Sequence, residues 1–438
     1  MRPTDALPHP SDWRTAVVGS AVEIKRGVSW SKDQEHNKPY DGAVPVIGIS
    51  NVQERLESNK LLWLSGLKPK AIEQKKVKKN WSIMVGSNGN RGRIGNCVLV
   101  EQDAEFLFAS FLIAAKPNVD SGIVPQFFYR WLRTEEVQSY LSASSEGSTG
   151  LSNLSHTFFR KMAIAFPRED EQRAIVGILS AADAAIDNAR EAYARAIEVK
   201  RALAQELFSR GTRREAQKKS RIGPIPTSWE VMAISAAVRN FEYGLSLPMY
   251  LRGETPILRM GNIQHGDVVM DDLKYVTLSH TTLDRYLLKR GDVLFNRTNS
   301  QEHVGKIGIY RRDDPAVFAS YLIRLHVDPK RIDNYYLGQL LNSYSAQCRI
   351  KRYATPGVQQ VNINAKNLGK VLIPVPSGNT GLDEQREISC ILENADLRSR
   401  CYLPVIAALE QLKRSLAHDL LTGTVRVDPA SLEKEARG

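Results

Sequence analysis

The sequence predicts an α+β chain made of two similar mixed α/β domains separated by two long antiparallel helices, the whole an internal repeat of pseudo-twofold character. Three observations predict it. Blocks of sequence recur in the same order about 213 residues apart, each copy ends in a long apolar stripe of helical period, and short strand-like runs precede each stripe.

Five matched blocks carry the repeat. Asp170-Glu171-Gln172-Arg173, followed by Ile175, Ile178 and Leu179, matches Asp383-Glu384-Gln385-Arg386, followed by Ile388, Ile391 and Leu392, and 383 minus 170 is 213. The same offset reaches Lys200-Arg201 and Lys413-Arg414. Upstream, Phe108-Ala109-Ser110-Phe111-Leu112-Ile113 matches Phe318-Ala319-Ser320-Tyr321-Leu322-Ile323, and Asn51 with Gln53 matches Asn262 with Gln264. Gly92-Arg93-Ile94-Gly95 echoes Gly305-Lys306-Ile307-Gly308, and each half opens on a Pro-x-x-Trp, Pro10 to Trp13 and Pro226 to Trp229. One short match arises by chance; five in one order do not.

From 170 to 208 apolar residues fall mostly three or four apart, at Ile175, Ile178, Ala182, Ile186, Ala189, Tyr193, Ile197 and Leu207, which is one face of a helix, and Gly211 follows as a terminator. The second copy repeats this from Ile388 to Leu420 and stops at Gly423, but Pro404 lacks a backbone donor, so a break is expected within 399–403. About 38 residues at ~1.5 Å each make a rod of ~57 Å. A rod with one apolar stripe buries it most readily against its own duplicate, hence an antiparallel pair.

The remaining segments carry strand-like runs at 44–49, 291–295, 306–310 and 370–375, interrupted by helices expected near 125–141 and 333–349. The expected organisation is a first domain at 1–168, a first long helix at 169–212, a second domain at 213–380 with a basic, flexible connector at 210–226, a second long helix at 381–425, and a tail at 426–438.

The chain has 438 residues, 42% of them hydrophobic and 25% charged, enough for two or three domains with real cores. Lys and Arg outnumber Asp and Glu by 60 to 48, a net charge of +12 that favours a polyanionic partner. No apolar leader or membrane span is visible, so a cytoplasmic protein without membrane association is expected. The four cysteines, Cys97, Cys348, Cys390 and Cys401, form no Cys-x-x-Cys pair and read as reduced structural thiols.

Several chemistries lack their motifs. No glycine-rich cofactor loop with an Asn-Pro-Pro-aromatic base pocket is present, and Gly305-Lys306 and Gly369-Lys370 are followed by Ile307 and Val371 where a phosphate-cradling loop needs Ser or Thr. The eight histidines show no metal-ligand spacing, so no bound metal is expected.

The constellation closely resembles the specificity (S) subunits of type I restriction-modification systems. The residues that carry the resemblance are Ile222-Gly223-Pro224-Ile225-Pro226 with Trp229-Glu230 opening a domain, Ile373-Pro374-Val375-Pro376 closing it, and Asp383-Glu384-Gln385-Arg386 after it. The first half departs mildly, with Leu7-Pro8-His9-Pro10 and Trp13 opening and Ala165-Phe166-Pro167 closing. The resemblance spans essentially the whole chain. It implies two target-recognition domains that each read half of a split, asymmetric site on double-stranded DNA, and helices that space them and dock two methyltransferase (M) subunits, with restriction/translocase (R) subunits in the full complex. It also implies a non-catalytic chain, with S-adenosylmethionine, ATP and Mg on the partner subunits. A spare subunit that exchanges recognition domains is the alternative; a fused methyltransferase-nuclease would need the missing motifs.

Base reading needs Arg, Asn and Gln near base edges with Lys and Ser on phosphate. The first candidate pair of loops holds Asn88, Asn90, Arg91 and Arg93 in one domain and Asn296, Arg297, Thr298, Asn299 and Lys306 in the other. The second pair holds Ser148 and Thr149, and Arg352, Thr355, Gln359 and Gln360. For all of these the ordinary alternative is a turn-building or solvated role. Asn51 and Gln53, with Asn262 and Gln264, recur in both copies, which favours scaffolding or phosphate contact over base choice. The run Lys75-Lys76-Val77-Lys78-Lys79 reads as a basic surface. Asp170, Glu171, Gln172 and Arg173, with Asp383, Glu384, Gln385 and Arg386, read as helix starts whose repetition suits identical docking of two partner subunits.

Overall fold

The computed structural model describes residues 6–145, 150–357 and 360–430. They divide into two compact units, Met1–Asn188 with Val405–Gly438, and Ala189–Pro404.

In the first unit the entry strand Arg14–Val17 pairs antiparallel with the exit strand Ala163–Phe166, so the domain closes on itself. Its main sheet places Val22–Arg26, Leu112–Pro117, Ser82–Val85 and Cys97–Leu99 side by side in that order. The second unit repeats this. Trp229–Ala233 pairs with Leu372–Pro376, and its sheet runs Val238–Tyr243, Leu322–Val327, Val293–Asn296, Ile307–Ile309 before two further short strands. Each unit also has a parallel pair, Val44–Ile47 with Leu107–Phe108 and Thr255–Leu258 with Val317–Phe318. The recurring Phe-Ala-Ser block is therefore where that small sheet hands the chain to the main one. Gly27 and Gly244 lie against it so closely that a Cβ would meet the carbonyl oxygens of Phe108 at 2.1 Å and Phe318 at 2.4 Å. Only glycine fits there.

The helices expected at 125–141 and 333–349 are each two helices, Pro125–Leu132 with Glu135–Ala143, and Asn334–Asn342 with Tyr344–Lys351. Thr134 and Ser343 adopt extended backbone at the breaks and accept hydrogen bonds from the N–H groups of Val137 and Ala346. A hydroxyl that caps a new helix competes with continuing the old one.

The first long helix is unbroken, Glu169–Arg210, and ends at Gly211 with φ 65°. The second is Gly381–Arg400 and Tyr402–Leu421, broken at Cys401 within the expected interval, and Gly423 follows with φ 70°. Within the first unit Lys413 pairs with Asp183, and Leu420 and Leu421 join Ile175 and Leu179 in the core. Within the second, Lys200 pairs with Asp396, and Leu207 and Phe208 join Ile388 and Leu392. In both units residue numbers fall on one helix as they rise on the other, so the pairing is antiparallel. Asp183 and Asp396 are equivalent in the repeat, as are Lys413 and Lys200, so the same ion pair occurs in each unit with donor and acceptor helices exchanged.

The connector is ordered, contrary to the expectation of flexibility. Gln217–Lys218 pairs with Ile225–Pro226, and the Glu215 carboxylate accepts hydrogen bonds from Thr227 Oγ1 and from Ser228 N and Oγ. The segment after the second long helix is likewise docked. Arg426 donates both sides of its guanidinium, Nε (2.7 Å) and Nη2 (2.8 Å) to Glu171 and Nη1 to Asp12.

Candidate nucleic-acid interface

In each domain the first candidate loop pairs with the short strand that follows the second in sequence. Ser87–Asn88 pairs with Ser152–Asn153 in the first. Thr298–Asn299 pairs with Val361–Asn362 in the second, and Val361–Asn362 also pairs with Thr355–Pro356. The structure therefore gathers 87–88 with 152–153, and 298–299 with 361–362 and, through it, 355–356. Ser148, Thr149 and Gln359 lie outside the described residues.

Within the first domain most of these side chains bond to their own chain. Asn88 Oδ1 accepts from Asn90 N at 2.7 Å and Asn90 Oδ1 from Gly92 N at 3.0 Å, which is the turn-building use of Asn. Arg91 donates from Nε to Ser142 O (2.8 Å) and from Nη2 to Ala143 O (2.7 Å), satisfying the final carbonyls of Glu135–Ala143. Arg93 is half-buried, with one nitrogen 3.4 Å from Val52 O.

In the second domain Asn296 is fully buried, and neither its Oδ1 nor its Nδ2 has a partner among the described residues. Arg297 donates from Nη2 to Asn362 Oδ1 (3.0 Å) and from Nη1 to Ser320 O (3.3 Å), with its guanidinium carbon 5.0 Å from the centre of the Tyr243 ring. Thr298 Oγ1 accepts from Asn362 Nδ2, and Asn299 Oδ1 from Ser300 N. Arg352, Thr355 and Gln360 are exposed and Lys306 is half-buried.

The glycine match slips by three residues. Gly95 (φ 90°) donates its N–H to Val85 O, and Gly305 (φ 89°) donates to Asn296 O; Gln138 and Gln347 each bond the carbonyl of their glycine from the neighbouring helix. Gly95 is thus the counterpart of Gly305, and Lys306 answers to Asn96 instead of Arg93.

Asn51 and Asn262 are scaffold. Each is 2% exposed, accepts from the N–H three residues earlier, Gly48 or Arg259, and donates to two carbonyls of the following loop. In the lysine run, Lys75 bonds Arg26 O, Lys76 pairs with Glu105 and Lys78 with Glu73. Partial burial and the nearby Lys25 pull the Lys75 ammonium below its usual range.

The repeated acidic motif is split between inside and outside. Gln172 and Gln385 are both 0% exposed. Gln172 accepts from Val124 N and donates to Gly122 O and Pro167 O; Gln385 accepts from Asp333 N and donates to Arg331 O and Pro376 O. Glu171 is buried under Arg426, and Glu384 accepts from Thr212 N and Trp229 Nε1. These four side chains tie each long helix to its domain and have no free face for a partner. Asp170, Arg173, Asp383 and Arg386 remain exposed.

One polar pair was not visible as a motif. Arg26, exposed at the end of Val22–Arg26, donates from Nε to His156 Nε2 at 2.8 Å across 130 residues of sequence. Partial burial, with the charges of Arg26 and Arg160, holds the His156 imidazole below its usual range.

The frame is duplicated, and it presents Arg- and Asn-bearing loops at matched strand ends on a chain of net charge +12. The family model described as the type I restriction modification DNA specificity domain matches residues 10–196 and 248–400, more than half of the chain, and the chain belongs to that family. The type I restriction enzyme EcoKI specificity subunit of Escherichia coli K12 is 22% identical over 417 residues, covering 93% of this chain and 88% of that one. The StySPI specificity subunit of Salmonella potsdam is 22% identical over 385 residues, covering 86% and 81%. Among solved structures, the type I restriction-modification S subunit from M. genitalium shares the fold with a TM-score of 0.53 at 16% identity, over 96% of this chain and 99% of that one. No helix among the described residues is long and apolar enough to cross a membrane.

Proposed function

We propose that this chain is the DNA sequence-specificity subunit of a type I restriction-modification complex, and that each domain reads one half of a bipartite, asymmetric site on double-stranded DNA. The observation that carries the reading is one frame built twice, with polar loops gathered at the same strand ends and with different residues in them. Shared frame residues such as Asn51 and Asn262 position the loops; unshared ones supply the difference between half-sites. The net charge of +12 supplies sequence-independent, salt-sensitive attraction to phosphate.

The long helices space the domains and dock two methyltransferase subunits, with restriction/translocase subunits completing the assembly in the cytoplasm. Of the repeated motif, the exposed Asp170, Arg173, Asp383 and Arg386 are the part that faces a partner. The chain itself is non-catalytic, and S-adenosylmethionine, ATP and Mg belong to the partner subunits. The test is co-expression with the cognate methyltransferase subunit in a methylation-free host, followed by sequencing that maps modified adenines. A two-part asymmetric motif that depends on this chain supports the reading; a soluble complex that directs no new methylation overturns it.

A further inference from the structure

The pairing register matches the two domains residue by residue at the end of the sheet where the loops gather. Arg26 lies opposite Ile113 and Tyr243 opposite Ile323, so Arg26 and Tyr243 are counterparts. Gly86 and Arg297 are counterparts too: their N–H groups donate to Phe111 O and Tyr321 O, and their carbonyls accept from Leu154 N and Ile363 N. His156 and Ala365 each begin the short helix that follows, after the capping residues Ser155 and Asn364.

At this corner each domain holds a guanidinium fixed by a side chain, delivered from a different place. In the first domain it comes from Arg26 and is oriented by His156. In the second, that strand position is Tyr243, whose hydroxyl accepts from Ala365 N at 2.9 Å, and the guanidinium comes from Arg297, lying over the Tyr243 ring. The first domain has Gly86 at the Arg297 position, and a Cβ there would stand 2.8 Å from Ile113 Cδ1, so the Ile113 side chain would have to move to admit one.

Arg26 is held without a carboxylate among the described residues. Arg130, Arg311, Arg324 and Arg400 each pair with carboxylates, which offset their charge. Arg26 is instead fixed by an imidazole nitrogen, and among the described residues nothing takes its two terminal nitrogens. A guanidinium oriented through Nε presents those nitrogens as the fork that matches O6 and N7 of guanine. A phosphate contact would serve both domains equally and would have no reason to differ between copies; a base contact must differ if the half-sites do.

We propose that Arg26, oriented by His156, is the base-reading guanidinium of the first domain, that Arg297, whose terminal nitrogens each keep one N–H beyond those given to Asn362 and Ser320, is its counterpart in the second, and that their different delivery sets different half-sites. The proposal rests on the reading of this chain as a DNA-specificity subunit. His156 is a positioning residue.

The experiment uses the full chain in complex with its methyltransferase subunits, and duplexes carrying the mapped site intact, with one half scrambled, or with the other half scrambled. R26A is expected to weaken binding to the intact site by about 10- to 100-fold and to abolish discrimination at one half only. The half still read in the same molecule shows that the subunit is folded. R297A is expected to blunt the opposite half. R26K, which keeps the charge without the fork, is expected to lose discrimination like R26A, and H156Q, which keeps an acceptor, to retain more than H156A. The proposal is overturned if R26A discriminates both halves as the unaltered chain does, if R26A and R297A blunt the same half, or if R26K keeps full discrimination, as a phosphate contact would. An unaltered chain that discriminates neither half would sink the specificity reading itself, a result distinct from all of these.

Discussion

Replacing Gln385 by Leu keeps the volume of a fully buried side chain and removes every hydrogen bond it makes. Three backbone groups lose a partner: the Asp333 N–H at 2.8 Å, which precedes the helix Asn334–Asn342, and the carbonyls of Pro376 (3.1 Å) and Arg331 (3.2 Å). A buried donor left unsatisfied costs about 1–3 kcal/mol and a carbonyl with a second lone pair costs less, so the total is about 2–4 kcal/mol. For a unit of this size that lowers the unfolding midpoint by about 5–15 °C. Q172L is the matched change in the first unit. Hydrogen exchange read by mass spectrometry separates the two: Q385L is expected to lower protection in 189–404 and Q172L in 1–188 with 405–438. A change below about 0.5 kcal/mol, or loss of protection in the wrong unit, would refute the assignment of these glutamines as locks between helix and domain.

Three further outcomes are expected. Native thiol labelling is expected to modify Cys348, Cys390 and Cys401, which are exposed, and to spare Cys97, whose burial pushes its thiol up to about 12; labelling of all four without denaturant contradicts this. Asp183 is held below its usual range because, although burial raises it, the hydrogen bond from Lys413 and the charge of Arg130 outweigh that. The unfolded chain therefore binds the proton more readily, so this contribution is present above about pH 4 and is lost as pH falls through the lower folded value; D183N is expected to flatten the acid limb of the first unit's stability curve, measured by urea unfolding between pH 2 and pH 6. R426A leaves the buried Glu171 carboxylate without its bidentate partner; because the Arg426 side chain is 44% exposed the cost is discounted to about 1–2 kcal/mol, seen as faster exchange in the first unit and no change in the second.

The repeat and the long helices were legible because periodicity and duplication are properties of sequence. Stripes of Ile and Leu three or four apart have one efficient burial, and Pro404 marked the break that falls at Cys401. The shorter helices were legible in position but not in their division, since Thr134 and Ser343 act as caps only when the backbone turns extended around them. The basic connector read as flexible because the contacts of Glu215 with Thr227 and Ser228 depend on a local fold that composition does not reveal.

The candidate loops were found by residue type, and residue type does not say where a side chain spends its hydrogen bonds. Arg91 satisfies a helix end more than forty residues away in sequence, and Asn296 is sealed in the core at the place of Val85. Repeated residues stand out in a duplicated sequence, and several of them, Asn51, Gln172 and Glu384 among them, hold the frame. Residues that distinguish the domains do not repeat: Arg26 answers to Tyr243, and its partner His156 lies 130 residues away. Only strand register brings them to one corner.

The central claim, that each domain reads its half-site independently on a shared frame, is tested most directly by replacing residues 229–376 with residues 13–166, co-expressing the chimera with the methyltransferase subunit and mapping modified adenines. One half of the methylated motif is expected to be retained and the other to become a second copy of it. Retention of the original asymmetric motif, or two halves both unlike the original, would contradict it.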